Sequence, residues 1–334
     1  MTISNIKTLL PKDCKIIDTR SMLPNDIMQI IREQKVNKHD IVCLINADVW
    51  RYGDDVLLQK FFSECGSTFL IFHMGYQHRK ILGRIHEIPW PYFLFTRTKQ
   101  TEKFIPKASA LPWGFSCLNN KQNIHRLLFG YSLWRQRLES EIIFTQNNID
   151  PDAVGGFHRV ILDTMPDYKD FERLLPIRWS NEENKNISYS SDHSINHDAF
   201  SICYANIVTE SEFESFYYPG VGINTPVITE KSFKPLMSGQ IPLYLTARGH
   251  LSYMKYLGFE TFDQLLPNDY DQLGTLSKIA TLIDLIKQGK EFIESVYFDN
   301  LSAVRHNFDL IQSQQVDDII IADTKLLIEK CLDT

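Results

Sequence analysis

The sequence predicts an α/β protein of two Rossmann-like domains facing each other across a cleft, followed by a helical tail. Three observations carry this prediction. Short apolar runs alternate with helix-length amphipathic stretches, the pattern of parallel sheets with crossover helices. The pattern restarts at Trp113, after the irregular stretch Lys103–Pro112. The chain has 334 residues, and about 150 residues is an ordinary domain. At this size a chain buries roughly three quarters of its unfolded surface, so no metal or disulfide staple is needed.

In chain order, Asp40–Ala47 reads as a buried strand ending at the polar Asn46 and Asp48. Val56–Cys65 has the spacing of a helix, Thr68–His73 is the next strand and Tyr92–Thr96 a third. Lys103–Pro112 reads as the crossing between domains. After it come a strand at Trp113–Leu118, a helix at Ile124–Leu138 and a strand at Ile142–Thr145. Phe200–Val208 and Pro242–Leu245 continue the series, and Thr275–Ile320 is mostly helical with Gly289 as a break. The expected domains are 1–108 and 109–274, both Rossmann-like, with helices at 275–334 packing back on both.

Hydrophobic residues make up 43% and charged residues 23%, a globular balance that excludes a disordered chain. Apolar stretches such as Ile41–Ile45 and Thr68–Phe72 are far too short to span a membrane, so no membrane insertion is expected. The N-terminus lacks the apolar centre of a signal peptide. Six scattered cysteines without a CxxC pair read as reduced thiols, and the expected location is the cytoplasm. The net charge is −6, yet Arg79–Arg137 holds eleven Lys/Arg against Glu87 and Glu102. That basic stretch, interleaved with Trp90, Tyr92, Phe93, Phe95 and Trp113, reads as a face for an anion or as an ordinary solvated surface.

Two constellations carry candidate chemistry. In Phe115–Arg126, a strand ends in polar residues and a helix starts near Asn123, a good N-cap. Strand ends facing a helix N-terminus hold phosphates, with Arg126 as a fixed cation and Lys121 as a mobile one. The plain alternative makes Arg126 a first-turn surface arginine. The glycine-rich dinucleotide fingerprint is absent, which disfavours a nicotinamide oxidoreductase. In the second constellation a strand delivers Thr209, Glu210 and Ser211, and Thr229 then opens a helix carrying Glu230 and Lys231. A glutamate there can accept ribose hydroxyls, and a lysine can neutralise a diphosphate leaving group. The alternative is a capped helix with an incidental Glu–Lys pair.

The segment VITEKSFKPLMSGQIPLYL resembles the donor-binding domain of α1,3-fucosyltransferase-like enzymes, which carry a Thr-Glu-Lys block after a strand ending in Glu-Asn-Ser. Bacterial and bacteriophage glycosyltransferase-like proteins are closer still. The motifs in common are FSCLNNKQNIHR (115–126), NIVTES (206–211), VITEKSFKPLMSGQIP (227–242) and MKYLGFETFDQLL (254–266). The resemblance covers roughly residues 113–310; nothing before Lys103 matches. It implies a GT-B glycosyltransferase, inverting and metal-independent. Arg126 and Lys231 would bind the diphosphate, Glu230 the ribose or donor sugar, and Glu210 would line the same pocket. Glu-Asn-Ser is replaced here by Thr209-Glu210-Ser211, so the resemblance does not extend to fucose and GDP as the donor.

The expected donor-site set is Asn119, Arg126, Thr209, Glu210, Ser211, Thr229, Glu230, Lys231 and Arg248, with His250 beside Arg248 as a second-rank candidate. The co-substrate is a nucleotide-sugar, and no further cofactor is expected. The base that takes the acceptor's proton is expected at a strand end of the first domain, Asp48 or His73, with Glu64 and Glu87 behind them. Asp48 reads equally as a cap and His73 as a core histidine. Asp150/Asp152, Asp269/Asp271 and His193/His197 match loose metal patterns that recur by chance, so no metal is expected. Tyr204, Phe213, Phe216, Tyr217 and Tyr218 form an aromatic cluster that would stack a base or pack a core. The acceptor is a glycan or, in a phage-encoded enzyme in a host cytoplasm, duplex DNA with hydroxymethylated pyrimidines. A non-catalytic nucleotide- or sugar-binding module is the reading of another class. Oligomeric state is not legible.

Overall fold

Ile41–Ile45 has no polar residue in five positions, the composition of an inner strand covered on both faces. It is the second strand of a five-stranded sheet. The computed structural model describes residues 3–19, 24–45, 56–73, 79–82, 84–90, 103–119, 123–147, 162–179, 200–210 and 228–333. The chain is α/β and folds as two units. One comprises Met1–Arg97, Val227–Thr229 and Gln314–Thr334; the other comprises Thr98–Pro226 and Glu230–Ser313.

The first unit holds α1 (Ile3–Leu9), β1 (Lys15–Asp18), α2 (Pro24–Glu33), β2 (Ile41–Ile45), α3 (Val56–Cys65), β3 (Thr68–His73), β4 (Arg79–Leu82) and β5 (Ile85–Pro89). Its strand order is β1-β2-β3-β5-β4, with β4 antiparallel at the edge and the other neighbours parallel. Ile17, Val42, Leu44, Phe69 and Ile71 from the strands meet Ile27, Ile31 and Phe62 from the helices in one core. The expected strand at Tyr92–Thr96 lies outside the described residues. Edge strand β1 and hairpin β4–β5 were not expected.

The second unit holds β6 (Trp113–Leu118), α4 (Ile124–Arg135), β7 (Ile142–Gln146), α5 (Tyr168–Glu172), β8 (Ile177–Trp179), β9 (Cys203–Thr209), α6 (Glu230–Met237), β10 (Ile241–Leu245) and α7 (His250–Tyr256). Helices α8 (Thr275–Ile286), α9 (Lys290–Asp299) and α10 (Leu301–Gln312) complete it. The order is β10-β9-β6-β7-β8, parallel except for β8. The chain leaves β6 for β7 on one side and later returns to β9 on the other. Right-handed crossovers in opposite directions put α4 and α6 on opposite faces. Helix α8 packs beside α4, and α9 and α10 pack on β6, β9 and α6.

Two close approaches fix this packing. A Cβ on Gly114 would lie 2.9 Å from Ile293 Cγ2 of α9, and one on Gly130 of α4 would lie 2.7 Å from Phe144 Cζ of β7. Gly130→Ala is therefore expected to cost about 2 kcal/mol by overpacking. Denaturant unfolding checks it, and an unchanged midpoint would refute the packing.

The unit boundary falls at Thr98, before the stretch expected as the crossing, and hydrogen bonding explains the difference. Tyr204 Oη accepts from Leu111 N at 3.0 Å and donates to Ala108 O at 3.1 Å. Tyr297 Oη accepts from Lys107 N at 3.0 Å, and Glu294 Oε1 accepts from Ala110 N at 2.7 Å. Lys107 Nζ donates to Phe200 O at 2.7 Å. Burial pushes this ammonium down from an ordinary 10.5 to about 8. Protonated Lys107 thus costs stability at low pH, and the cost is relieved between about 8 and 10.5, where the unfolded chain binds more protons. Lys107→Met is expected to flatten the pH–stability curve in that window; an identical curve would contradict it.

The helical tail divides as well. Residues 275–313 lie in the second unit, whereas α11 (Gln315–Leu332) belongs to the first and packs on β5 and α1. Gly289, at φ 83°, makes the expected break.

Candidate functional site

In an open parallel sheet the ligand crevice lies outside the strand carboxyl ends, where the strand order reverses. In the second unit that point falls between β6 and β9. Asn119 and Thr209 meet there: Thr209 Oγ1 donates to Asn119 Oδ1, and Asn119 N donates to Thr145 O of β7 at 3.1 Å. Both side chains are buried, so three strand ends are tied into one ledge.

Helix α4 starts above that ledge. Asn123 has the extended N-cap conformation without a side-chain cap bond, so its side chain does not take up the first-turn N–H groups. Arg126 is 1% exposed. Its Nη2 donates to Thr209 O at 2.7 Å and to Glu210 O at 2.9 Å, and His125 Nε2 donates to the same Glu210 carbonyl at 3.0 Å. Burial lowers the pKa of the guanidinium and the neighbouring Glu210 carboxylate raises it. Arg126 is thus neither a surface arginine nor part of a basic exterior. It holds the exit of β9, and what Nη2 offers a ligand is charge at close range.

Glu210 is also buried. Its Oε1 accepts from Ser232 Oγ at 2.5 Å, and His250 Nε2 stands 3.2 Å from the same hydroxyl. Burial, and then the charge of Lys278, push the imidazole down to about 3, so His250 is neutral. With the serine proton on Glu210, the tautomer assigned from the network places the histidine proton on Nε2.

Glu230 and Lys231 open α6, which follows β9, and pair at 2.8 Å with about a quarter of each side chain exposed. Burial raises the Glu230 carboxyl, but Lys231 and Lys234 bring it net below the ordinary range. Lys234 shares this helix face one turn on; its i, i+4 spacing from Glu230 was a readable signal that the sequence analysis missed. Lys278 was missed too. Its Nζ lies buried at the end of β10, donating to Thr246 O at 2.9 Å and to Asp271 O at 3.2 Å. Two buried cations on backbone carbonyls, two lysines on α6 and the N-termini of α4 and α6 share the carboxyl end of this sheet. The arrangement suits a multiply charged anion.

The other candidates fall elsewhere. Thr229 is buried immediately before α6, and Arg248 is exposed in the turn after β10. Tyr204 packs on Tyr297 at 5.4 Å and serves the core; Phe213, Phe216, Tyr217 and Tyr218 lie outside the described residues. Asp48, Lys121 and Ser211 also lie outside them. His73 ends β3 opposite Pro89, with its side chain outside the described part, as is that of Glu87. Glu64 is exposed on α3. Asp271 accepts from Leu251 N and Ser252 N, both at 3.1 Å, and so caps α7. Asp150, Asp152, His193 and His197 are outside the described residues, and among the described ones no group of three metal-ligating side chains occurs. No protein-family model, curated protein or solved structure matches the chain.

Proposed function

We propose that the second unit binds the diphosphate of a nucleotide-sugar, and that the protein is a GT-B glycosyltransferase. The observation that carries the reading is the reversal of strand order between β6 and β9. Asn119, Thr209, buried Arg126 and the Glu230–Lys231 pair all gather there. An inverting transfer breaks the bond from the sugar's anomeric carbon to the diphosphate as the acceptor oxygen attacks from the opposite face. The nucleoside diphosphate leaves with its charge increased. Lys231, already poised beside a carboxylate, is the cation placed to meet that charge, with the buried Arg126 as its fixed background. The acceptor's proton passes to a general base as the new bond forms.

Six free cysteines agree with a reducing compartment, and the proposed location is the cytoplasm. Among the described residues no helix is long and apolar enough to cross a membrane. The test is release of nucleoside diphosphate from UDP-, GDP-, CDP- and ADP-sugars, with water or added glycan and DNA as acceptor. Release from one donor class that is abolished in Lys231→Ala supports the proposal. Binding without release from any donor would make the protein a binding module instead.

A further inference from the structure

Buried polar groups are nearly always hydrogen-bonded, so one that is not points to a partner the folded chain does not supply. Gln146 ends β7 and is 1% exposed, yet among the described residues neither its Oε1 nor its Nε2 has a hydrogen-bond partner. Alternate residues of a strand share a face. Phe144, two positions earlier, stands against Phe129 of α4 with ring centroids 6.2 Å apart, so Gln146 is on the face that α4 covers. Cys117 is opposite Phe144 and Leu118 opposite Thr145, which brings Asn119 beside Gln146 on that face. Asn119 Oδ1 in turn accepts from Thr209 Oγ1. The ends of β9, β6 and β7 thus carry a row of three polar side chains, Thr209, Asn119 and Gln146, running from the reversal of strand order toward β8. On its other side Gln146 is paired with Ile177 of β8, a buried apolar residue.

An amide buried without partners costs folding free energy, and proteins keep such costs chiefly at functional sites. The chemistry of the group narrows what completes it. A phosphate only accepts hydrogen bonds, whereas a carboxamide is uncharged and offers an acceptor beside its donors. Acceptor and donor in one plane match the edge of a nucleobase, where both kinds of group stand side by side. The position agrees. Adjacent strands lie about 4.8 Å apart, which puts Gln146 about 10 Å from Thr209 and the diphosphate proposed to lie there. In a nucleoside diphosphate the ribose spans such a gap between the phosphates and the base. We infer that Gln146 reads the nucleobase of the donor, its carboxamide pairing edge to edge with the base and setting which nucleotide the site prefers. This inference rests on the proposal that the second unit holds the diphosphate of a nucleotide-sugar.

The test is calorimetric titration of the full chain and of Gln146→Met with UDP, GDP, CDP and ADP, together with melting of both ligand-free proteins. Methionine has nearly the same volume and no amide. Wild type is expected to prefer one base. Gln146→Met is expected to bind that nucleotide about twentyfold weaker and the other three within about twofold of wild type, so that the preference collapses. Without ligand it is expected to melt about 3 °C higher, because the unpaired amide is gone. A merely structural glutamine moves the melting temperature the other way; a lower value, or a variant that does not fold, would overturn the inference. So would a preference that survives unchanged in the variant, or an equal loss toward all four nucleotides, either of which leaves the proposed function standing. Nucleotide binding by wild type without any base preference would also overturn it. No binding of any nucleotide by wild type would overturn both readings.

Discussion

Arg126→Met is expected to lower the unfolding free energy of the second unit by about 3 kcal/mol, the largest single effect predicted for this fold. The methionine fills most of the volume but leaves the Thr209 carbonyl without its Nη2 donor and takes one of two donors from the Glu210 carbonyl, which keeps His125 Nε2. Groups buried without partners carry their full desolvation cost, larger than the net worth of the bonds themselves. Arg126→Lys is expected to recover part of the loss, since an ammonium restores the charge but not the reach of the guanidinium fork. Denaturant unfolding followed by a probe in the second unit checks both. A loss below about 1 kcal/mol for the methionine variant would mean that the β9 exit is held by other means.

Lys231→Ala is expected to act the opposite way, on binding and not on folding. Its ion pair with Glu230 is about a quarter exposed, and such pairs contribute under about 1 kcal/mol to stability. Toward a diphosphate the loss is larger. One charge-assisted contact disappears, and Glu230 is left as an unpaired carboxylate facing the anion. The expected result is about thirtyfold weaker nucleoside diphosphate binding and a comparable fall in turnover, with a melting temperature within a few degrees of wild type. Calorimetry and diphosphate release measure the two effects. Wild-type affinity in this variant would remove Lys231 from the site.

What was legible follows the physics of each element. Strands β2, β3, β6, β7, β9 and β10 are apolar runs with few interruptions, and the sequence shows them as such. Strand β1 (KIID) and the hairpin of β4 (RKIL) and β5 (IHEIP) mix charge with apolar residues. They become strands through their neighbours, so local pattern does not reveal them. The sequence spacing carries helix α4 through Leu138, but the helix ends at Arg135, with Arg137 in the left-handed region at φ 57°.

In the site, Glu230 and Lys231 were legible because a cap, an acid and a base at a helix start form a pattern. The burial of Arg126 was not. An arginine in a first helical turn looks solvent-facing, and its partners are backbone carbonyls from residues more than eighty positions away, which leave no mark in composition. The same holds for the contacts of Ser232 with Glu210 and His250, which exist only once β9, α6 and α7 are brought together. Nor does the sequence show the strand order, and it is the order that locates the crevice.

The most direct measurement is a thermal-shift screen of the full chain against UDP, GDP, CDP and ADP and their sugars, with and without EDTA. A ligand that binds the native state alone stabilises it by about 2.7 kcal/mol at a hundred times its dissociation constant, enough to read as a shift of several degrees. The expected result is a shift selective for one nucleoside diphosphate class, unchanged by EDTA and strongly reduced in Lys231→Ala. No shift with any nucleotide, or an equal shift in Lys231→Ala, would contradict a diphosphate site at the ends of β6 and β9.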